Sequence, residues 1–209
     1  MAITYVPMTK QDHKDIKRLI TEAWFSDYPF KEKYIKLYAS GYLNMYLSHS
    51  DYKMVAKDGD KVVGFLFGNI KKAPFKQRLV SNFKLFLYSI YMLFSYPGRR
   101  GLKITYITDK VNKKLQAPYK KTHKNELILF IVDEAYRGYG IGSTLEKMYT
   151  NTLKEKGIKN VFLFTDTYSN YKYYEHRGYE RKGELPVDFG LKNSEIDPIS
   201  EYYIYIKEL

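Results

Sequence analysis

The chemistry of this sequence is concentrated in a glycine-rich turn between an apolar run and a helical one. In IVDEAYRGYGIGSTL, glycines stand at positions 138, 140 and 142, directly after Arg137. Such glycines let backbone N–H groups approach an anion closely, and the start of the following helix adds partial positive charge. Arg137 supplies a full one. The stretch Arg137, Gly138, Tyr139, Gly140, Ile141, Gly142 and Ser143 therefore reads as a pyrophosphate cradle. The plainer reading is a glycine turn that caps a helix. A dinucleotide site fits less well, because the spacing is G-x-G-x-G rather than G-x-G-x-x-G. Only 67 residues follow Gly142, too few for the usual series of parallel βα units.

Other chemistries are excluded by composition. The chain has no Cys and four His. Disulfides and a Cys-acyl intermediate cannot form, and the scattered histidines have no ligand spacing, so no metal is expected. Lack of Cys fits a reducing cytoplasm. The opening MAITYVPMTKQD lacks the basic-then-apolar plan of a signal peptide, and no apolar run approaches the roughly 18 residues of a spanning helix. A cytoplasmic location is the expectation.

Two segments together resemble the GNAT superfamily of N-acetyltransferases. Arg137, Gly140 and Gly142 are similar to that family's R-x-x-G-x-G acyl-CoA loop. About 30 residues on, TDTYSNYKYYEHRGYE is similar to its N-x-x-(small)-x-x-(F/L)-Y-E-K-x-G-F signature, through Tyr173, Tyr174, Glu175, Gly178 and Tyr179. The sequence departs from the family where Glu134 takes the place of a frequent Pro. It departs again where Thr167 holds the early Asn position and Asn170 the small-residue position, so either could contact pantetheine.

The resemblance implies acetyl-CoA as co-substrate and direct transfer of its acetyl group to a primary amine in a ternary complex. The strand ending Phe130, Ile131, Val132 would splay from its neighbour and bond the pantetheine amides. Tyr173 would lie along the cofactor, and Tyr174 would protonate the departing thiolate as general acid. The amine must also lose a proton. Glu126, at the start of an apolar strand, is the first candidate base, because burial can raise a carboxylate pKa toward neutrality; a solvated strand-end acid is the alternative. His123 and His176 are runners-up. An oxyanion would be met by a strand N–H near Ile131 or Val132. A non-catalytic acyl-CoA-binding regulatory module remains the competing class.

The elements that must hold these groups follow from periodicity. A strand is expected near 2–6, and a helix after Thr9 and Asp12, which stand at capping-box spacing. A second helix is expected over 30–47, including Phe30. A hairpin of YKMVAK and KVVGFLFGN then turns at Asp58-Gly59-Asp60. LILFIV (127–132) reads as a strand buried on both faces. A helix over 141–156, with the stripe Ile141, Leu145, Met148 and Thr152, ends at Gly157. A strand over 160–166, a short helix over 169–176 and strands near 179–191 and 201–207 complete the chain. The fold class is α/β: a single GNAT-like domain over 1–209, with a mixed sheet flanked by helices.

Residues 71–124 stand apart. They carry 14 Lys and Arg against one acid, Asp109, within a chain of net charge +12. Helices are expected near 76–95 and, more weakly, 107–116, as a helical insertion between the third and fourth strands. Three roles are open: a lid packed on its own core, an anionic membrane surface, or a homodimer interface. Nucleic acid is disfavoured, because no binding motif accompanies the charge. The acceptor, a small-molecule or peptide amine, is expected to be anionic or partly apolar. Against that, Asp12, Asp15, Glu22, Asp27 and Glu32 could line an opposing acidic wall.

Overall fold

The computed structural model describes residues 2–25, 31–190 and 199–209. In chain order come β1 (Ile3–Pro7), α1 (His13–Trp24), α2 (Glu32–His49), β2 (Tyr52–Asp58) and β3 (Lys61–Gly68). Two helices follow, α3 (Phe75–Leu93) and α4 (Tyr96–Gln116), then β4 (Leu127–Val132) and α5 (Ile141–Glu155). The chain closes with β5 (Asn160–Asp166), α6 (Tyr171–His176), β6 (Glu180–Asp188) and β7 (Ile199–Glu208). This is the expected order.

The strands form two antiparallel sheets, ordered β1-β2-β3-β4 and β5-β7-β6. Among the described residues they are joined by one isolated parallel bridge, Glu126 with Phe162, where the Phe162 N–H donates to Asn125 O at 3.0 Å. Strand β3 is buried from Val62 to Gly68, as its unbroken apolar run requires of a strand covered on both faces. Ile16, Leu19, Ile20 and Leu43 of α1 and α2 pack on one face against Val55, Phe65 and Phe67. Helix α5 covers the other, placing Ile141, Leu145, Tyr149 and Leu153 against Val63 and Leu66. Each such side chain contributes about 1.5–3 kcal/mol on burial. Helix α4 lays Leu115 over Phe162, Ile204 and Ile206 of the second sheet.

Three expectations need correction. Helix α4 begins at Tyr96, not near 107: the Ser95 hydroxyl caps it by accepting from Gly98 N, and Pro97 sits in the first turn, where its missing donor costs nothing. The buried stripe of α5 runs through Ile141, Leu145, Tyr149 and Leu153, while Met148 and Thr152 lie only partly buried beside it. Strand β4 is not buried on both faces throughout, because Ile128, Phe130 and Val132 stay partly open. The expected start of the second helix at Phe30, and Asp27, lie outside the described residues.

Candidate active site

The place where the two sheets part is the centre of the site. The Asp133 N–H donates to Val63 O at 2.9 Å, so by the two-residue period of a strand Ile131 also turns its peptide toward β3. Phe130 and Val132 therefore point their N–H and C=O groups the other way, toward β5. Beyond the Glu126–Phe162 bridge, no described strand pairs that edge. Of the two expected oxyanion donors, the Ile131 N–H is thus committed to the sheet and the Val132 N–H remains. Near its start the register with β3 slips by one residue, so that Ile128 has no partner, which bends the strand locally.

The open edge leads to the glycine loop. Gly138 and Gly140 adopt φ of 86° and 77°, a region that β-carbons disfavour. Gly140 is the N-cap of α5, and its carbonyl accepts from the Thr144 N–H and from the Ser143 and Thr144 hydroxyls. The first-turn N–H groups of Ile141, Gly142 and Ser143 are left facing outward, as at any helix start. The Ile141 side chain is buried in the core, so only its peptide can serve a ligand. A Cβ on Gly142 would fall 3.0 Å from Phe130 Cζ and 3.7 Å from the Tyr173 hydroxyl. Arg137 and Tyr139 are exposed beside the loop, and Arg137 lies 3.5 Å from Glu134.

Glu126 is held by its own backbone. Its N–H donates to Asn69 Oδ1 at 2.8 Å, and its carbonyl accepts from the Asn69 N–H at 3.0 Å and from the Tyr149 hydroxyl at 2.9 Å. Tyr149 is fully buried, and Gly68 makes room for it: a Cβ there would stand 2.5 Å from the Tyr149 ring. Glu126 is part-buried at the start of β4, and desolvation there pushes its pKa up to about 7. Tyr46 of α2 has its own pKa raised, first by burial and then by the charges of Tyr42 and Glu126, with Tyr202 and Asp166 also contributing. Tyr38, Tyr42 and Tyr46 stand one helical turn apart on α2, with 6.0 Å between the Tyr42 and Tyr46 ring centres. At the far end of that row, Arg100 of α4 lines a small hollow with Phe25, Tyr38 and Tyr42. Its Nε and one Nη are buried with no hydrogen-bond partner among the described residues.

Helix α6 brings up the tyrosines. Tyr173 packs on Phe130 with ring centres 5.7 Å apart; among the described residues its buried hydroxyl makes no hydrogen bond of full geometry, and the Arg177 guanidinium is a near polar neighbour. Burial raises its pKa to about 12. Tyr174 sits edge-on to Tyr173 and Tyr179, and burial likewise raises its pKa, keeping the phenol protonated at neutral pH. The helix is fastened by Glu146 of α5, fully buried, which accepts from Arg177 at 3.1 and 2.7 Å and from Lys207 at 2.8 Å.

The remaining candidates separate. Thr167 is tied to β7, its hydroxyl 3.1 Å from that of Ser200 and its N–H bonded to Glu201 O. Asn170 is the exposed N-cap residue of α6, and its side chain makes no capping bond. His123 packs edge-on to Tyr119 and lies 3.8 Å from Glu208, while His176 is exposed. The expected acidic wall does not form from free carboxylates. Asp12 pairs with Lys57, Asp15 accepts from Val62 N, Glu22 pairs with Arg18 and Glu32 with Lys36. Glu146, Tyr149 and Tyr46 are not singled out by the sequence, and Arg100 is read there only as one of the cations of the basic segment. The four-residue spacing of Tyr38, Tyr42 and Tyr46 is the one signal that could have found part of this set.

Residues 13–179 match the family model described as acetyltransferase (GNAT) family. In fold the chain is similar to a protein of Pyrococcus horikoshii OT3, at 17% identity and TM-score 0.62, covering 100% of this chain and 99% of that one. It is also similar to the PaiA N-acetyltransferase of Thermoplasma acidophilum in complex with coenzyme A, at 13% identity and TM-score 0.53 with 100% of each chain covered. A third likeness is to an N-acetyltransferase from Staphylococcus aureus Mu50, at 12% identity and TM-score 0.54, covering 100% of this chain and 99% of that one. No curated protein matches the sequence.

Proposed function

Because the chain belongs to the acetyltransferase (GNAT) family, we propose that it moves the acetyl group of acetyl-CoA to a primary amine by direct transfer in one ternary complex. The observation that carries the reading is the edge of β4 that no described strand pairs beyond Glu126, which ends at Val132 and leads through the glycine loop to the first turn of α5. An extended chain of amides can bond there as a strand would, and a pyrophosphate can meet the outward N–H groups at the end of it. The Tyr173 hydroxyl, buried beside Gly142 with no hydrogen bond of full geometry among the described residues, supports the fit, because such a group calls for a partner. Asn170, rather than Thr167, is the better candidate for the pantetheine arm, since the Thr167 hydroxyl is already bonded.

In this reading Glu126 takes the proton that the attacking amine must lose, a role suited to a carboxyl with a pKa of about 7. As the new C–N bond forms and the C–S bond breaks, Tyr174 gives its phenolic proton to the departing thiolate. The Val132 N–H meets the oxyanion between these events. The row Tyr38, Tyr42, Tyr46 and the unpaired Arg100 favour an acceptor with an apolar body and an anionic group.

Thiol release from acetyl-CoA over a panel of amines, amino acids, peptides and amino sugars tests the proposal. Tyr174→Phe should lower turnover at least about a hundredfold while coenzyme A still binds. Unchanged turnover refutes the general-acid assignment. Inactivity on the whole panel with coenzyme A binding intact favours a non-catalytic acyl-CoA-binding module.

A further inference from the structure

Helix α3 is apolar on both sides. Its inner side packs on α2, where the Gln77 amide donates to the carbonyls of Leu47 and Ser50 and where Ser81 and Met92 are buried. Its outer side meets no other element among the described residues. Phe75, Leu79, Phe83, Phe86 and Ile90, with Phe94 at the cap, recur every three or four residues and form a single stripe. Phe75 is 74% exposed, Phe83 61%, Phe86 60% and Phe94 83%. A contiguous aromatic stripe of this kind on a protein surface marks a contact, not a solvated face.

Charge decides what the contact is. No acidic residue occurs from Lys71 to Thr108. Cations accompany the stripe along its length, Lys71 and Lys72 before it, Lys76, Arg78 and Lys84 within its span and Arg99 after it, and none of them makes an ion pair among the described residues. A second copy would bring the same cations against these, so self-association through this face is opposed. An anionic, apolar medium satisfies both halves of the pattern, with rings entering it and cations remaining at its charged surface. No described helix is long and apolar enough to cross a membrane. We propose that α3 lies flat on an anionic lipid bilayer, its phenylalanine stripe sunk to the acyl boundary and its flanking lysines and arginines on the headgroups. This does not depend on the catalytic reading.

The test is co-sedimentation of the full chain with vesicles of phosphatidylcholine alone or mixed with phosphatidylglycerol. Binding to the mixed vesicles at low salt, weakened by salt and at least about tenfold poorer on phosphatidylcholine, is the expected result. The double variant Phe83→Ser, Phe86→Ser alters only outward-facing rings, so its melting curve should match the parent while vesicle binding falls about tenfold or more. Lys76→Glu with Arg78→Glu should weaken binding to the mixed vesicles alone. Three outcomes overturn the proposal: no binding to anionic vesicles at low salt, undiminished binding by the serine variant, or a dimer in sedimentation velocity that the serine variant dissolves.

Discussion

Glu146 and Arg177 form a pair in which the carboxylate has no exposed surface and one of its oxygens accepts twice from the guanidinium, at 3.1 and 2.7 Å. Lys207 of β7 takes the other oxygen at 2.8 Å. The helix that begins at the glycine loop is thereby fastened to the one that carries Tyr173 and Tyr174. Removing the carboxylate would leave two cations facing each other across the gap. Glu146→Ala should cost about 3 kcal/mol, the low end for a broken buried pair, since Arg177 and Lys207 keep some solvent contact. Urea unfolding measures this, and a loss under about 1 kcal/mol would contradict it.

Glu126 predicts a pH dependence with a defined sign. Its pKa rises from 4.5 to about 7 on folding, so between those values the folded chain holds a proton that the unfolded chain has released. This group therefore weakens the fold as pH climbs through that window, by about 3 kcal/mol once pH passes 7. Glu126→Gln should be more stable than the parent at pH 8 and no different at pH 4. The rate should behave in the opposite sense, with kcat/KM of the parent rising as the carboxyl ionises near pH 7 and that limb absent from the variant.

Tyr173 separates a packing role from a binding one. Its ring rests on Phe130, but its buried hydroxyl makes no hydrogen bond of full geometry among the described residues. Tyr173→Phe should leave the free protein as stable or slightly more so. A bond between that hydroxyl and coenzyme A is worth about 1 kcal/mol, so affinity should fall about fivefold. Calorimetry on both proteins checks each half.

Arg100 calls for a parallel experiment on the acceptor side. A guanidinium with buried, unpaired nitrogens is a cost to the free protein. Arg100→Met keeps much of the volume, so the melting temperature should hold or rise. KM for an anionic acceptor should rise tenfold or more, corresponding to a lost charge-assisted bond of about 1.5–3 kcal/mol, while KM for acetyl-CoA stays constant. Equal KM changes for both substrates would place Arg100 outside the acceptor site.

Strands β4 and β5 were legible because their apolar runs are continuous and end at turn residues; both match the expected bounds. The loop was legible because glycine spacing is a local property. What stayed hidden depends on distant partners. Glu146 reads as a surface acid on α5, and its burial depends on residues 31 and 61 positions away. Tyr149 became the third residue of the buried stripe because Gly68 on another element leaves room for its ring. Pro97 and Gly98 hide the start of α4, because such residues more often end a helix, though in a first turn capped by Ser95 they begin one.

The single bridge from Glu126 to Phe162 has a consequence for the working life of the protein. Two sheets joined at one point form a wedge, and a strand-like ligand seated in it would supply the missing rungs. Any ligand that binds only the folded chain adds about 2.7 kcal/mol at a hundred times its Kd. If the proposed thioester is that ligand, resistance to unfolding and to proteolysis would track its supply.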